Sequence, residues 1–260
     1  MKRISLLLMN LFFFCSIILS QEEIKPNPEF YHTWLQRDFY EGLMNGKTPN
    51  ESHSDLDLVT QVYFYENSER ILIGSFWEGA HQLFKVINKD TIEVPIPGTN
   101  KIAFVLTLIV INDKTVLVIN DGDKTYSFAA LDDKYHVESG INYFINDKIF
   151  TGNYIAVEDS SIKITFTSEG TVFGLNNFNE YRIPVVGVFI PREFDCVLFH
   201  EILTEPHSKK VKDHLLLHWE KSNDKIVLYN VSKRADDFDV HGKYIGSKIL
   251  DKYLTLKKVD

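Results

Sequence analysis

Cysteine is nearly missing from this chain: 260 residues carry only Cys15 and Cys196. A scaffold stapled by disulfides is therefore excluded. Cys196 sits in "FDCVLFHEI", among apolar neighbours, and reads as a small buried structural thiol rather than a nucleophile. An excess of positive charge is missing too. Lys and Arg total 28 against 36 Asp and Glu, a net charge of −8. Such a chain is a poor candidate for nucleic acid, whose binding rests on counterion release by clustered cations. There is no glycine-rich phosphate loop, no Gly-x-Ser-x-Gly elbow and no His-Glu-x-x-His. No catalytic residue, metal ligand or cofactor is assigned on this ground.

Long apolar runs are absent except at the start. Lys2 and Arg3 are followed by an almost wholly apolar stretch from Ile4 to Leu19, and Ser20 offers a small residue before Gln21. This has the organisation of a secretory signal peptide over 1–20, and it falls short of the roughly 20 apolar residues a membrane span needs. Its removal takes away Lys2 and Arg3 and leaves 26 positive against 36 negative residues. A secreted chain without a disulfide pair fits a bacterial extracytoplasmic location, in the periplasm or beyond, with no membrane span after cleavage.

What is present is periodic. Asn27 suits an N-cap, Pro28 a first helical position and Gly46 a stop. Between them Tyr31, Leu35, Phe39 and Leu43 fall four apart, which predicts an amphipathic helix over 28–45. Beyond it come short runs rich in β-branched and aromatic residues, separated by turn chemistry such as "ENSE", "PGTN", "DGDK", "EDSS" and "KSND". These predict an antiparallel meander, with few segments left to serve as crossover helices.

The meander reads as if written twice. "VYFYENSERILIGSFWEGAHQLFKV" aligns with "ITFTSEGTVFGLNNFNEYRIPV", bringing Phe64 onto Phe166 and Gly74 onto Gly174. Late in each half stand "NDKTVLVIN" (Asn112–Asn120) and "NDKIVLYNV" (Asn223–Val231). Some strands alternate, as in "IKITFT", while "IAFVLTLIVI" is apolar on both faces. The expected fold class is all-β: two tandem antiparallel up-and-down β-barrels behind an N-terminal amphipathic helix, the first over 55–135 and the second over 141–260.

The second half, from about Ile149 to Tyr244, resembles a bacterial lipocalin-like domain. "TGNY" (Thr151–Tyr154) is similar to the Gly-x-Trp signature of lipocalins, with Tyr154 where the family has Trp, and a late "HLLLHWEKSNDKIVLYNV" hairpin follows. The resemblance implies a barrel able to hold a small or lipophilic ligand, and it implies no reaction. Candidate ligand-binding residues are Tyr154, Trp219 and the hairpin-tip aromatics Trp77 and Phe178. His53, Asp55 and Asp57 alternate in "HSDLD", where a polar loop is the plainer reading than a metal site. His214 and His218 share one face of a strand with Leu216 and Glu220, read as an outer, solvated face. Asp236, Asp237 and Asp239 lie in a charged turn.

Three functions follow as expectations. The first is a non-enzymatic carrier of a small apolar ligand in a barrel lumen. The second is an envelope protein–protein interaction module with side-chain-filled barrels. The third is a glycan hydrolase whose paired acids are not identified.

Overall fold

The computed structural model describes residues 24–52, 60–66, 68–74, 79–137, 139–185, 195–205, 208–232 and 246–259. The expected signal peptide over 1–20 lies outside them. In chain order they form a 3-10 turn (Pro28–Tyr31), β1 (Thr33–Gln36), α1 (Arg37–Met44), α2 (Pro49–Ser52), β2 (Gln61–Phe64), β3 (Arg70–Gly74), β4 (Gly79–Leu83), β5 (Lys85–Asn88), β6 (Thr91–Pro95), β7 (Ile102–Ile111), β8 (Lys114–Asn120) and β9 (Thr125–Ala130). A second 3-10 turn (Asp133–Tyr135) and α3 (Gly140–Ile149) lead to β10 (Gly152–Ala156), β11 (Lys163–Phe166), β12 (Thr171–Leu175), β13 (Phe178–Arg182), β14 (Cys196–Glu205), β15 (Ser208–Ser222), β16 (Lys225–Val231) and β17 (Ile249–Val259).

These are two tandem antiparallel up-and-down barrels, the fold class that alternation and turn spacing predict. β10 to β17 close in order into eight strands, with β17 returning to pair with β10. The first sheet has nine strands in the order β4-β3-β2-β1-β9-β8-β7-β6-β5. Its end strands, β4 and β5, are consecutive in the chain with Phe84 alone between them. The sheet therefore curls until its two edges meet at that residue.

The repeat maps onto equivalent strands. Phe64 ends β2 and Phe166 ends β11; both are inward and buried. β8 and β16 hold the two Asn-Asp-Lys stretches, each the next-to-last strand of its own sheet. They pair with strands of their own barrel and not with each other. In the first hairpin Asn112 and Asp113 have φ of 51° and 61°, as a two-residue turn matched to strand twist requires.

The helix expected over 28–45 is a correction. Only Arg37–Met44 is α-helical, and Thr33–Gln36 is a strand between β2 and β9. The reason is burial on both sides. Trp34 points into the first barrel and donates its Nε1–H to the Phe30 carbonyl (3.0 Å), while Leu35 points out into the second core. A helix would leave the ladder partners on β2 and β9 unpaired. The first barrel thus starts upstream of 55, and the helix α3 (Gly140–Ile149) occupies the start of the 141–260 segment expected to be the second barrel.

A bridging layer joins the barrels. Leu35, Phe39, Leu43, Leu131, Tyr135, Ile141, Phe144 and Ile145 form one buried cluster with the interior of the second barrel. Tyr40 stacks on Phe144 at 5.5 Å. A polar clamp lies beside this layer. Thr48 and Glu51 bond reciprocally as a capping box on α2, Glu51 N–H to Thr48 Oγ1 (3.2 Å) and Thr48 N–H to Glu51 Oε2 (2.8 Å). Asp195 of the second barrel accepts the Asn50 N–H (2.8 Å).

Two predictions arise from this architecture. Gly174 and Gly46 both have φ +81°, but a Cβ on Gly174 would lie 1.9 Å from the Lys163 carbonyl oxygen, whereas Gly46 has open space. Gly174→Ala should cost more than the roughly 1–3 kcal/mol of a left-handed non-glycine residue, and Gly46→Ala only about 1 kcal/mol; chemical denaturation of both variants checks the order. Burial, with Glu51 adding to it, raises the Asp195 carboxyl above its ordinary value against the hydrogen bonds from Thr48 and Asn50. The folded state then holds that proton more tightly than the unfolded chain, so ionisation costs stability as pH rises through the carboxylate range. Asp195→Asn keeps an acceptor for Asn50 and should match or exceed the wild-type melting temperature at neutral pH, with the gain vanishing near pH 4. A less stable variant at neutral pH would contradict this account.

Candidate functional site

The inward positions of both barrels are occupied by side chains that touch one another. In the first barrel Phe30, Trp34, Phe64, Ile71, Leu117 and Phe128 are fully buried. Phe64 lies 5.3 Å from Phe30 and 5.7 Å from Phe84. In the second, Phe150 enters from the C-terminal end of α3. Its ring lies 5.2 Å from Phe166, 5.5 Å from Trp219 and 5.9 Å from Tyr181. The end of α3 is held by lysines reaching its orphan carbonyls: Lys221 Nζ donates to Lys148 O (3.2 Å) and Ile149 O (2.9 Å), and Lys258 Nζ to Thr151 O (3.2 Å). Burial, with Lys258 nearby, lowers the Lys221 pKa.

Two of the expected ligand-binding residues belong to this packed interior. Tyr154 is 2% exposed with its ring 5.6 Å from Phe166, and burial pushes its hydroxyl up to about 12. Trp219 is 1% exposed and donates its Nε1–H to the Cys196 carbonyl (3.1 Å). The structure brings these two together through Phe166 and Phe150. Phe178 is half-buried at the start of β13, 6.2 Å from Phe199. Trp77 lies outside the described residues, as do His53, Asp55, Asp57, Asp236, Asp237 and Asp239. Phe150 was missed by sequence reasoning because "KIFTGNY" scans as the start of a strand.

The histidine pair separates. His214 is exposed on β15 opposite His200. His218, expected on a solvated face, is a correction: it is 6% exposed. Its Nδ1 lies 2.7 Å from the Asp195 carbonyl and its ring stacks on Tyr229 at 5.6 Å. Asp195, just ahead of β14, covers that part of the outer wall. Among the described residues no group of three or more His, Cys, Asp or Glu is placed to hold a metal ion. No helix among them is long and apolar enough to cross a membrane.

The candidate site is instead an outer wall of the first barrel. On β7 the outward residues are Ala103, Val105, Thr107, Ile109 and Ile111, alternating with inward Leu106 and Leu108. Val105 faces Asn120, Thr107 faces Val118 and Ile109 faces Val116 across the ladder to β8. Ile109 and Ile111 are 38% and 37% exposed. A concavity of about 460 Å³ lies against Val105, Thr107, Val118 and Asn120 at one end. Another of about 450 Å³ lies at the other end, between Ile111, Val116 and Ala129 on the sheet and Arg37, Tyr40 and Glu41 on α1. There the Arg37 Nε–Glu41 Oε1 pair (2.6 Å) sets a charged rim. The strip on β7 and β8 is thus made mostly of β-branched side chains, with Glu93 of β6 facing Val105 on its flank and Lys114 facing Ile111 at one end.

Phe150→Ala should remove about 3–5 kcal/mol from the second barrel by opening a cavity where four rings meet; equilibrium unfolding checks it, and a loss under about 1 kcal/mol would mean that the core closes over the gap. No protein-family model matches this chain, and no curated protein matches it.

Proposed function

We propose that this chain is a non-enzymatic interaction module of the cell envelope, which recognises a folded protein partner through the outer wall of β7 and β8. The observation that carries this reading is the contrast between filled interiors and a bare apolar exterior. Rings and aliphatic groups in mutual contact occupy the inward positions, so a lipophile in a lipocalin-like lumen would have to displace well-packed aromatics. The outward Val105, Ile109, Ile111 and Val118 are the apolar groups whose desolvation a partner would gain. A partner is favoured over a small ligand here because the wall is long. Ten residues of β7 run about 33 Å, well beyond a drug-sized molecule.

Val105→Asp with Val118→Asp places two charges on this wall without touching either core. The double variant should keep its melting temperature within about 3 °C and lose the envelope proteins that wild type retains in a quantitative affinity capture. An unchanged capture profile would remove the wall from consideration. Native mass spectrometry of the purified protein supplies the other arm: a lipophile bound at one per chain would favour the lumen reading over this one.

A further inference from the structure

A second surface stands on the opposite part of the first barrel, independent of the β7–β8 wall. Tyr63 points outward from β2, between inward Val62 and Phe64. It faces Leu72 of β3, which in turn faces His81 of β4. Leu72 lies flat across Gly79, where a Cβ would come within 2.4 Å of its Cδ1. His136, just after the second 3-10 turn, lies 5.4 Å from Tyr63; Tyr63 lies 4.9 Å from Tyr65, and Tyr65 5.5 Å from His81. His32 extends the file at 6.5 Å from His136. Five aromatic rings thus follow one another from His32, just before β1, through His136, Tyr63 and Tyr65 to His81 on β4.

Carboxylates border the file. Glu66 Oε1 is 3.7 Å from His136 Nε2, Asp133 Oδ1 is 3.7 Å from His32 Nδ1, and Glu29 Oε2 is 3.4 Å from His32 Nε2. Glu66, Asp133 and Glu29 side chains are 69%, 94% and 51% exposed, so most of their hydration remains. Glu69 and Arg70 are exposed on the same side. The nearby Lys134 ammonium is engaged elsewhere, by Asp147 and by the face of Tyr135. Both His136 ring nitrogens are buried without a hydrogen-bond partner, and its side chain is 17% exposed.

We propose that this file of rings is a docking strip for a basic polypeptide segment. Its Lys and Arg side chains would lie over the tyrosine and histidine rings, with their charges met by Glu66, Asp133 and Glu29. Charge complementarity favours this occupant. Aromatic faces attract cations, Arg most of all, and the carboxylates add a long-range term. The acidic balance of the whole chain adds to it. An anionic partner would meet repulsion from Glu66, Asp133 and Glu29.

The test is fluorescence anisotropy at about 50 mM salt, with a labelled peptide of alternating Arg and Ala and its Glu-Ala counterpart as probes. The basic peptide should bind saturably and the acidic one should not. Glu66→Gln with Asp133→Asn should weaken binding by about tenfold, as should Tyr63→Leu with Tyr65→Leu, which keeps the wall apolar and is checked for folding by thermal melt. Asp224→Asn with Asp251→Asn removes the same two charges from the second barrel and should change affinity less than about twofold. Equal weakening by the two charge-removing variants would mean that the chain attracts cations as a whole, and overturns the strip. So would absence of saturable binding, or binding indifferent to the loss of both tyrosine rings. The affinity capture through the β7–β8 wall is unaffected by either result.

Discussion

Burial of β1 on both of its faces is the constraint from which the rest of the molecule follows. Thr33, Trp34 and Leu35 are each no more than 2% exposed. The strand pairs with β2 on one side and β9 on the other, so it joins the start of the first meander to its end. Its alternation sends Trp34 into the first core and Leu35 into the second. Four residues therefore set the curvature of one barrel and supply a root for the layer that docks the other. Regular helix through this segment would break both, which is why local periodicity loses to tertiary pairing here.

The second consequence concerns where chemistry can sit. With Phe150, Phe166, Tyr181, Phe199 and Trp219 in contact inside the second barrel, the polar groups there are used to hold structure. Trp219 bonds the Cys196 carbonyl and the Tyr181 hydroxyl bonds the Thr167 carbonyl at 2.7 Å. Such groups satisfy the backbone and have little capacity left for a ligand. Under the proposed function, recognition falls to the exterior. There the first barrel carries two unlike surfaces, a β-branched wall on β7–β8 and an aromatic file with an acidic border beside β1–β4.

Much of this was legible in the sequence because strands and turns are local signals. Asn112 and Asp113 favour the left-handed turn that links β7 to β8, and Asn223 does the same before β16, with φ of 48°. Phe64 and Phe166 mark equivalent inward positions because alternation of period two fixes which face they take. What was not legible depends on contacts distant in sequence. Leu35 belongs to a helical stripe by spacing, yet its partners are on β9 and in the second core. α3 lacks a side-chain N-cap and is held through Lys221, more than seventy residues away, so no local pattern announces it. His218 looks solvated on its own strand, and only the approach of Asp195 covers it. The outer aromatic file draws on β1, β2, β4 and the second 3-10 turn, segments no short motif connects.

The treatment of strand edges narrows how such a molecule can recognise anything. A barrel without edges offers no ladder to a partner, but the nine-stranded sheet has a seam at β4 and β5, and β14 outruns its neighbour β13. Both places are blunted. β4 and β5 are five and four residues long, and Phe84 between them is tied by its N–H to the Glu69 carbonyl (3.0 Å) with its side chain buried in the core. On β14, the Asn179 side chain donates to the Ile202 carbonyl (2.8 Å) and accepts its N–H (2.9 Å), standing in for the missing strand at the residue where pairing with β13 has ended. At Phe84 and Ile202, backbone groups that would recruit an extra strand are thus consumed internally. Strand addition is disfavoured at these two edges, so under the proposed function the barrel walls remain, where side chains rather than hydrogen-bonded backbone would decide the partner.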